Sequence, residues 1–87
     1  MRVISQNGMI DLPYEKLVVS VNMRNQCEVI AWDASNIASD SYLVLATYSS
    51  VEKSHRAMEM LRDEWIDYAS EGLFQFPADE EVEVGDW

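Results

Sequence analysis

The chain has 87 residues, of which 48% are hydrophobic, and a formal net charge of −10. This length predicts a single domain, and the apolar content favours a folded protein over a disordered one. The negative charge disfavours direct binding of nucleic acid, whose affinity comes mainly from lysine and arginine at the phosphates, and no apolar run approaches the roughly 20 residues of a membrane-spanning helix.

A hairpin is predicted at the start of the chain. MRVIS and MIDLPY flank Gln6-Asn7-Gly8, and Asn-Gly is a strong hairpin signal because both residues tolerate the positive φ of a type I′ turn. We therefore expect strands at about 1–5 and 9–12. Pro13 ends the second strand, because proline cannot donate a hydrogen bond to a neighbouring strand.

Further strands are predicted before the helix. Residues 16–23 alternate in the way that is typical of a half-buried strand. A turn at 24–26 leads to the strand CEVIAWDA, and a polar loop at 35–41 precedes YLVLATY. Because this last run is apolar on both faces, it is expected at the centre of the sheet, beneath the helix.

Residues 47–71 strongly indicate a helix, over about 50–71. Ser49 as N-cap and Glu52 three residues later match a capping box, in which each side chain bonds a free backbone amide. Gly72 stands where a C-terminal cap is expected. The helical period predicts a face packed on the sheet, formed by Ser54, Ala57, Met58, Leu61, Trp65, Tyr68 and Ala69. It predicts an opposite, solvent-facing side formed by Glu52, Arg56, Glu59, Asp63 and Asp67.

The chain after the helix has an apolar part and an acidic part. Leu73, Phe74 and Phe76 are too apolar for a free tail, so we expect them to dock beside the helix or to add an edge strand. Valine and glutamate alternate at 81–84 and would allow a short strand, but the charge density favours a mobile end.

The expected fold is an α+β domain at 1–78 followed by an acidic C-terminal tail at 79–87. Its predicted architecture is an antiparallel sheet of four to five strands with one long helix, about 50–71, packed on one face. No internal repeat or linker suggests a second domain.

Catalytic chemistry is not expected. The sequence has no glycine-rich phosphate-binding motif, and its paired carboxylates show no sign of the burial that would raise their pKa for acid–base work. His55 at the flank of the helix and Cys27 in a strand do not suffice to predict a catalytic pair. One Cys and one His leave no conventional zinc site, and the spacing of a calcium loop is absent, so no metal or cofactor is predicted.

Acidic residues are concentrated in the last third of the chain. Residues 1–58 hold six acids against five bases, a net of −1, whereas residues 59–87 hold ten acids against one base, a net of −9. Glu59, Asp63 and Asp67 follow one another at four-residue spacing, where like charges each cost a few tenths of a kcal/mol. Acids at the C-terminal end of a helix also oppose its dipole. A face that weakens its own helix is where a function is expected.

This acidic row predicts a basic partner. Carboxylates one helical turn apart, about 5.4 Å, and continued beyond the helix by the acidic tail, roughly imitate the spaced negative charge of a nucleic-acid backbone. Trp87 joins the proposed contacts because tryptophan is enriched at binding hot spots. The predicted partner-binding residues are Glu59, Asp63, Asp67, Glu71, Asp79, Glu80, Glu81, Glu83 and Trp87. The alternative is a solvated acidic face with no specific partner.

Three segments, ISQNGMIDLPYE (4–15), YSSVEKSHRAMEMLRDEW (48–65) and FQFPADEEVEV (74–84), resemble a family of short, mostly uncharacterised proteins of phages and prophages of Gram-positive bacteria. In that family an ISQxG…PYE opening is followed by strands, a YSxxEKA…AMEMLR helix and an FxFPxDxE ending. Here Ser54 replaces the alanine of EKA, which is expected to matter little for packing because serine is also small. Together with the single cysteine, the resemblance implies a location in the host cytoplasm.

Small acidic phage proteins often block host defence proteins by occupying their nucleic-acid-binding surfaces. By analogy, the resemblance implies an inhibitor of a basic nucleic-acid-binding host protein, in its most specific form an anti-CRISPR inhibitor of an RNA-guided nuclease. We expect a monomer or dimer with no membrane partner. The rival hypothesis is a phage structural or adaptor protein that acts through homo-oligomerisation.

Overall fold

The computed structural model describes residues 1–36, 42–68 and 72–84. Within them the chain forms six strands and one α-helix, which confirms the α+β class. The strands are β1 (Arg2–Ile4), β2 (Asp11–Pro13), β3 (Leu17–Asn22), β4 (Asn25–Asp33), β5 (Leu43–Thr47) and β6 (Leu73–Gln75). The helix, α1 (Val51–Tyr68), lies between β5 and β6 in chain order.

The strands form two three-stranded sheets, so the prediction of a single sheet of four to five strands is wrong. In the first sheet, β1 pairs antiparallel with β2 on one side and parallel with β6 on the other. The second sheet is antiparallel in the order β3-β4-β5. The single turn of 3₁₀ helix at Tyr14–Lys16 separates β2 from β3, which is why the first hairpin does not continue into the second sheet.

The N-terminal hairpin is confirmed, but its loop is longer than the predicted two-residue turn. Residues 5–10 connect the paired strands, and Gly8 has a φ of 76°. The Asn7 side-chain oxygen accepts hydrogen bonds from the Ser5 hydroxyl at 2.7 Å and from the Met9 amide at 2.9 Å. These local bonds stabilise the wider loop, because asparagine can satisfy backbone groups in turns.

The sequence had predicted β5 at the centre of the sheet, but the central strand of the second sheet is β4. The helix packs across β4 and β3, and β5 lies at the edge of this sheet. A shift in register beside Val29 and Ile30 explains the apolar pattern of β5. Because of this irregularity, Leu45 and Ala46 are both buried, although they are neighbours in the chain.

Gln6 connects the two sheets at the outer edge of β5. Its backbone amide donates to the Leu45 carbonyl at 2.8 Å, and its side-chain oxygen accepts from the Thr47 amide at 3.1 Å. Its side-chain nitrogen donates to the Pro77 carbonyl at 3.2 Å. Gln6, two residues after the end of β1, therefore covers an edge that would otherwise be open.

The core lies between the helix and the two sheets, and the predicted inner face of the helix is confirmed where it is described. Ser54, Ala57 and Leu61 are fully buried, and Met58 and Trp65 are half-buried. The Tyr68 side chain and Ala69 lie outside the described residues. The other main core side chains are Met1, Val3, Val29, Ala31, Leu45, Ala46, Tyr48, Phe74, Phe76 and Val82.

The apolar segment after the helix docks as predicted. Leu73–Gln75 form β6 at the edge of the first sheet, and Phe76 is buried just beyond it. The rings of Phe74 and Phe76 meet edge to face, with their centroids 5.1 Å apart. This arrangement is a favourable one for aromatic pairs.

Ser50 caps the helix, and not Ser49 as the sequence had predicted. The Ser50 hydroxyl accepts a hydrogen bond from the Lys53 amide at 3.2 Å, and its carbonyl accepts from the Ser54 amide at 3.3 Å. The shift of one residue places Lys53 where a capping box requires Glu or Gln, so the reciprocal bond of that motif does not form. The helix end predicted near residue 71 falls outside the described residues.

Candidate functional site

The predicted acidic face of α1 is exposed to solvent. Glu59, Asp63 and Asp67 are all exposed, and Asp63 and Asp67 have no hydrogen bond or ion pair with any residue that the structure describes. Glu59 differs from them, because its carboxylate lies 3.3 Å from the guanidinium of Arg56. Asp63 and Asp67 are therefore two exposed carboxylates that have no ion pair with a lysine or arginine among the described residues.

An apolar side chain lies among these acids. Ile66 is 75% exposed, and at 100° per residue it falls on the same side of the helix as Glu59 and Asp63. Sequence reasoning missed this residue. The signal in the sequence was an isoleucine at a helical position on the polar side, where no core residue is expected.

Asp79, by contrast, is occupied by contacts within the domain. One carboxylate oxygen accepts a hydrogen bond from the Ser49 amide at 2.7 Å, and the other lies 3.2 Å from the Lys53 ammonium. Lys53 also donates to the Asp79 carbonyl at 2.8 Å. The bond from the Ser49 amide and the contacts with Lys53 hold the pKa of Asp79 below its usual range.

The segment around Asp79 packs against the N-terminal end of the helix. Residues 79–81 form one turn of 3₁₀ helix, and Val82 is buried. The Tyr48 hydroxyl donates to the Pro77 carbonyl at 2.9 Å. Burial raises the pKa of Tyr48, and the negative charges of Asp79 and Glu81 raise it further. The part of the predicted tail at 79–82 is thus docked on the domain.

The acids after the helix therefore lie elsewhere than expected. The sequence predicted that they continue the row beyond the C-terminal end of α1, whereas residues 79–82 return to its N-terminal end. Glu80, Glu81 and Glu83 are exposed there. The 18 residues of α1 span about 27 Å, so these three acids and the pair Asp63 and Asp67 flank the helix from opposite ends.

Two predicted contact residues cannot be placed in this arrangement. Glu71 and Trp87 lie outside the described residues. The site as described therefore consists of Glu59, Asp63, Ile66 and Asp67 on the helix, which we call the acidic helix face, and a second group formed by Glu80, Glu81 and Glu83.

Two further residues, His55 and Cys27, have side chains of the kind that catalysis or metal binding uses. His55 is exposed and Cys27 is half-buried. Among residues 1–36, 42–68 and 72–84, no three His, Cys, Asp or Glu side chains come close enough to hold a metal ion. Within the same ranges, α1 lacks the apolar character of a membrane-crossing helix.

Comparisons with protein-family models, with curated proteins and with solved structures found no match.

Proposed function

We propose that this protein is a phage-type inhibitor that binds a basic, nucleic-acid-binding defence protein in the cytoplasm of a bacterial host. The observation that carries the proposal is the pair Asp63 and Asp67. Both are exposed and unpaired among the described residues, and they lie beside an exposed isoleucine. The resemblance of three segments to phage proteins supports the biological context.

The physical argument begins with the stability of the helix. Asp63 and Asp67 repel each other at four-residue spacing, and both lie in the C-terminal half of the described helix, toward the end where the helix dipole favours cations. No lysine or arginine of the described residues compensates either of them. A positively charged partner would supply the missing cations, and the interaction would gain from fast, steered association.

The spacing of the acids supports mimicry of a nucleic acid. Residues four apart on a helix rise about 6 Å, so Glu59, Asp63 and Asp67 form a line of separated negative charges. An RNA-guided nuclease holds its heteroduplex in a cationic channel through backbone contacts. Carboxylates in a line would compete for the same lysine and arginine side chains, which makes this nuclease class the most specific form of the proposal.

The described residues have separate roles in this proposal. Asp63 and Asp67 make the main ionic contacts. Ile66 supplies an apolar anchor, and such anchors at binding hot spots are surrounded by a rim of charged residues. Glu80, Glu81 and Glu83 extend the negative surface at the other end of the helix. Asp79 stabilises the fold and is not a principal contact, and Glu71 and Trp87 remain contacts proposed from the sequence.

The direct experiment is a DNA-cleavage assay with an RNA-guided nuclease of a Gram-positive bacterium. The wild-type protein should inhibit cleavage, and the double variant Asp63→Lys/Asp67→Lys should lose at least most of that inhibition. The control is Asp11→Lys/Asp33→Lys, which changes the net charge equally at exposed positions away from the helix; because it also removes the contacts of Asp11 with Arg2 and of Asp33 with Ser35, its thermal midpoint is measured beside that of the helix variant. Circular dichroism should show that both variants are folded.

The outcomes separate the surface from the target. Equal inhibition by the wild type and the helix variant would refute the assignment of the acidic helix face. If the wild type does not inhibit the nuclease, the specific form fails. The general form is then tested by displacement of fluorescent DNA from other basic nucleic-acid-binding proteins. It predicts that the protein displaces the DNA at low salt and that raised salt abolishes this displacement. The general form fails if no protein shows this behaviour.

A structural or adaptor function through homo-oligomerisation is the second candidate. It is favoured by a different observation, the open edge of β3, and it does not need the acidic helix face. The two functions differ in their response to charge, because self-association of an acidic protein strengthens with salt whereas binding to a basic partner weakens.

A further inference from the structure

The edges of the two sheets differ in their protection. Gln6 covers the outer edge of β5 with two hydrogen bonds. The edge strands of the first sheet, β2 and β6, have three residues each, and β2 ends in Pro13. Short strands and proline are common means by which proteins prevent edge-to-edge pairing.

The strand β3 has none of these features. Its six residues, LVVSVN, include neither a charge nor a proline, and three of them are valine. On the side away from β4, no strand among the described residues pairs with it. A long, apolar and unprotected edge is a template for another strand.

A groove runs beside this free edge. It has a volume of about 280 Å³ and is formed by the edge of β3 on one side and the flank of α1 on the other. Its lining residues are Val19, Ser20, Val21, His55, Met58, Glu59 and Arg62. An added strand would therefore pair with β3 and bring its own layer of side chains against the helix.

We propose that the occupant of this edge is β3 of a second copy of the chain, so that two three-stranded sheets join into one continuous sheet of six strands. The pairing would be antiparallel, with a two-fold axis through the middle of β3, as closed dimers require. This proposal does not rest on the function proposed for the acidic helix face.

The position of the helix suits this arrangement. Because α1 packs over β3 and β4, the two helices of the dimer would be two to three strand spacings apart, about 10–14 Å. Helices in direct contact are about 8–10 Å apart. The long side chains of Met58 and Arg62 can fill the remaining distance above the joined strands.

The charges of the groove favour a second copy over a basic partner. The wall of the groove carries one acid, Glu59, which also contacts Arg56 of its own chain, and one base, Arg62, so that a two-fold rotation can bring Arg62 near Glu59 of the other copy. The exposed acids Asp63 and Asp67 fall on the other flank of the helix by phase and would stay in solvent. The groove is therefore close to neutral in a chain with a net charge of −10.

The first test is the oligomeric state, measured by sedimentation equilibrium over a range of protein and salt concentrations. The wild type should form a dimer whose dissociation constant falls as salt is raised, because salt screens the repulsion between two acidic chains. Arg62→Glu should weaken the dimer roughly tenfold or more, since like charges would then face each other. The control Arg2→Glu makes the same charge change in the first sheet, where it replaces the ion pair of Arg2 with Asp11, so its thermal midpoint is measured as well.

A second test reports the geometry. In a Cys27→Ser background, the single variants Val18→Cys, Val19→Cys, Ser20→Cys and Val21→Cys place a thiol at each central position of β3, because only the residue on the two-fold axis faces its own copy, and Thr47→Cys places one on the other edge strand, β5. Residues opposite each other in antiparallel strands have Cβ atoms about 4.5–5.5 Å apart, so at least one β3 variant should form an intermolecular disulfide under mild oxidation.

These measurements can overturn the proposal in two ways. A wild type that stays monomeric at every protein and salt concentration refutes it. A dimer in which none of the four β3 cysteines cross-links, or in which Thr47→Cys cross-links instead, also refutes it, provided that circular dichroism shows each variant to be folded.

Discussion

Asp79 Oδ2 lies 3.2 Å from Lys53 Nζ, and this contact joins the segment after the last strand to the first turn of the helix. The Ser49 amide bonds the other oxygen of the same carboxylate. Asp79 thus supplies the negative charge that a helix N-terminus favours, although it is 26 residues away from Lys53 in the chain.

We expect Asp79→Ala to lower the thermal midpoint of unfolding and Asp79→Asn to lower it less. The amide oxygen of asparagine can still accept the bond from Ser49, whereas the ion pair with Lys53 is lost in both variants. The neighbouring Glu80 is exposed, so Glu80→Ala is the control and should leave the midpoint nearly unchanged. Equal midpoints for the wild type and Asp79→Ala would contradict the role of Asp79.

The same carboxylate should make stability depend on pH. The Ser49 amide and Lys53 lower the pKa of Asp79 in the folded state. A carboxyl group of this kind stabilises the protein above its unfolded pKa, about 3.9, and this stabilisation is lost as the pH falls through the lower folded pKa. The difference in thermal midpoint between the wild type and Asp79→Asn should therefore be largest near neutral pH and should shrink below about pH 4. A difference that is constant across this range would exclude the explanation.

Ser54→Ala should destabilise the fold by about 1 kcal/mol. Ser54 is fully buried, and its hydroxyl lies 2.5 Å from the Gln26 carbonyl oxygen and 2.8 Å from that of Val51. The serine fits the packing, as the sequence predicted, but it also connects the helix to β4. Chemical denaturation measures the loss. Ser49→Ala is the matched control, because Ser49 is exposed, and an equal loss in both variants would count against the buried bond.

Gly8→Ala should cost about 1 kcal/mol in free energy of unfolding, because Gly8 has a φ of 76° and an L side chain is strained there. An added Cβ would lie 3.6 Å from the Gln75 side-chain nitrogen, an ordinary contact, so the loss comes from the backbone. Gly8→Asn tests this cause, since asparagine tolerates the left-handed region better than alanine. We expect a smaller loss for Gly8→Asn; a larger one would indicate a clash.

Asp67→Lys should stabilise the protein by about 0.5 kcal/mol while weakening its binding to a basic partner. The lysine would suit the C-terminal end of the helix dipole, and it would pair with Asp63 one turn earlier. Glu83→Lys provides the same change in net charge outside the helix. If Asp67→Lys gains no more stability than Glu83→Lys, the argument that the acidic helix face weakens its own helix is wrong.

Local patterns in the sequence were sufficient for the helix, the first hairpin and most strands. Ala57 and Leu61 are buried and Asp63 is exposed because a period of 3.6 residues fixes which side of a helix each residue takes. The exposure of the acidic helix face could be predicted for the same reason. Ile66 was not predicted as a contact because only charged residues were assigned to the solvent-facing side of the helix.

Contacts between distant segments could not be predicted in this way. The contact between the two sheets depends on Gln6 reaching β5, and the docking of the acidic segment depends on Asp79 reaching Ser49. Neither contact has a periodic signature, because each is made by a single polar side chain at long sequence separation. The acids near Asp79 therefore looked like a continuation of the helical row, although they lie at its other end.

The parallel pairing of β1 with β6 has a consequence for the order of folding. Val3 pairs with Phe74, so β1 waits for a segment that is synthesised much later than β1 itself. Until residues 73–76 have left the ribosome, β1 can pair only with β2, and the buried positions of Phe74 and Phe76 stay unfilled. Closure of so long a loop is slow relative to formation of a helix or hairpin. We therefore expect the second sheet and the helix to assemble first, and the first sheet to form once residues 73–76 are available.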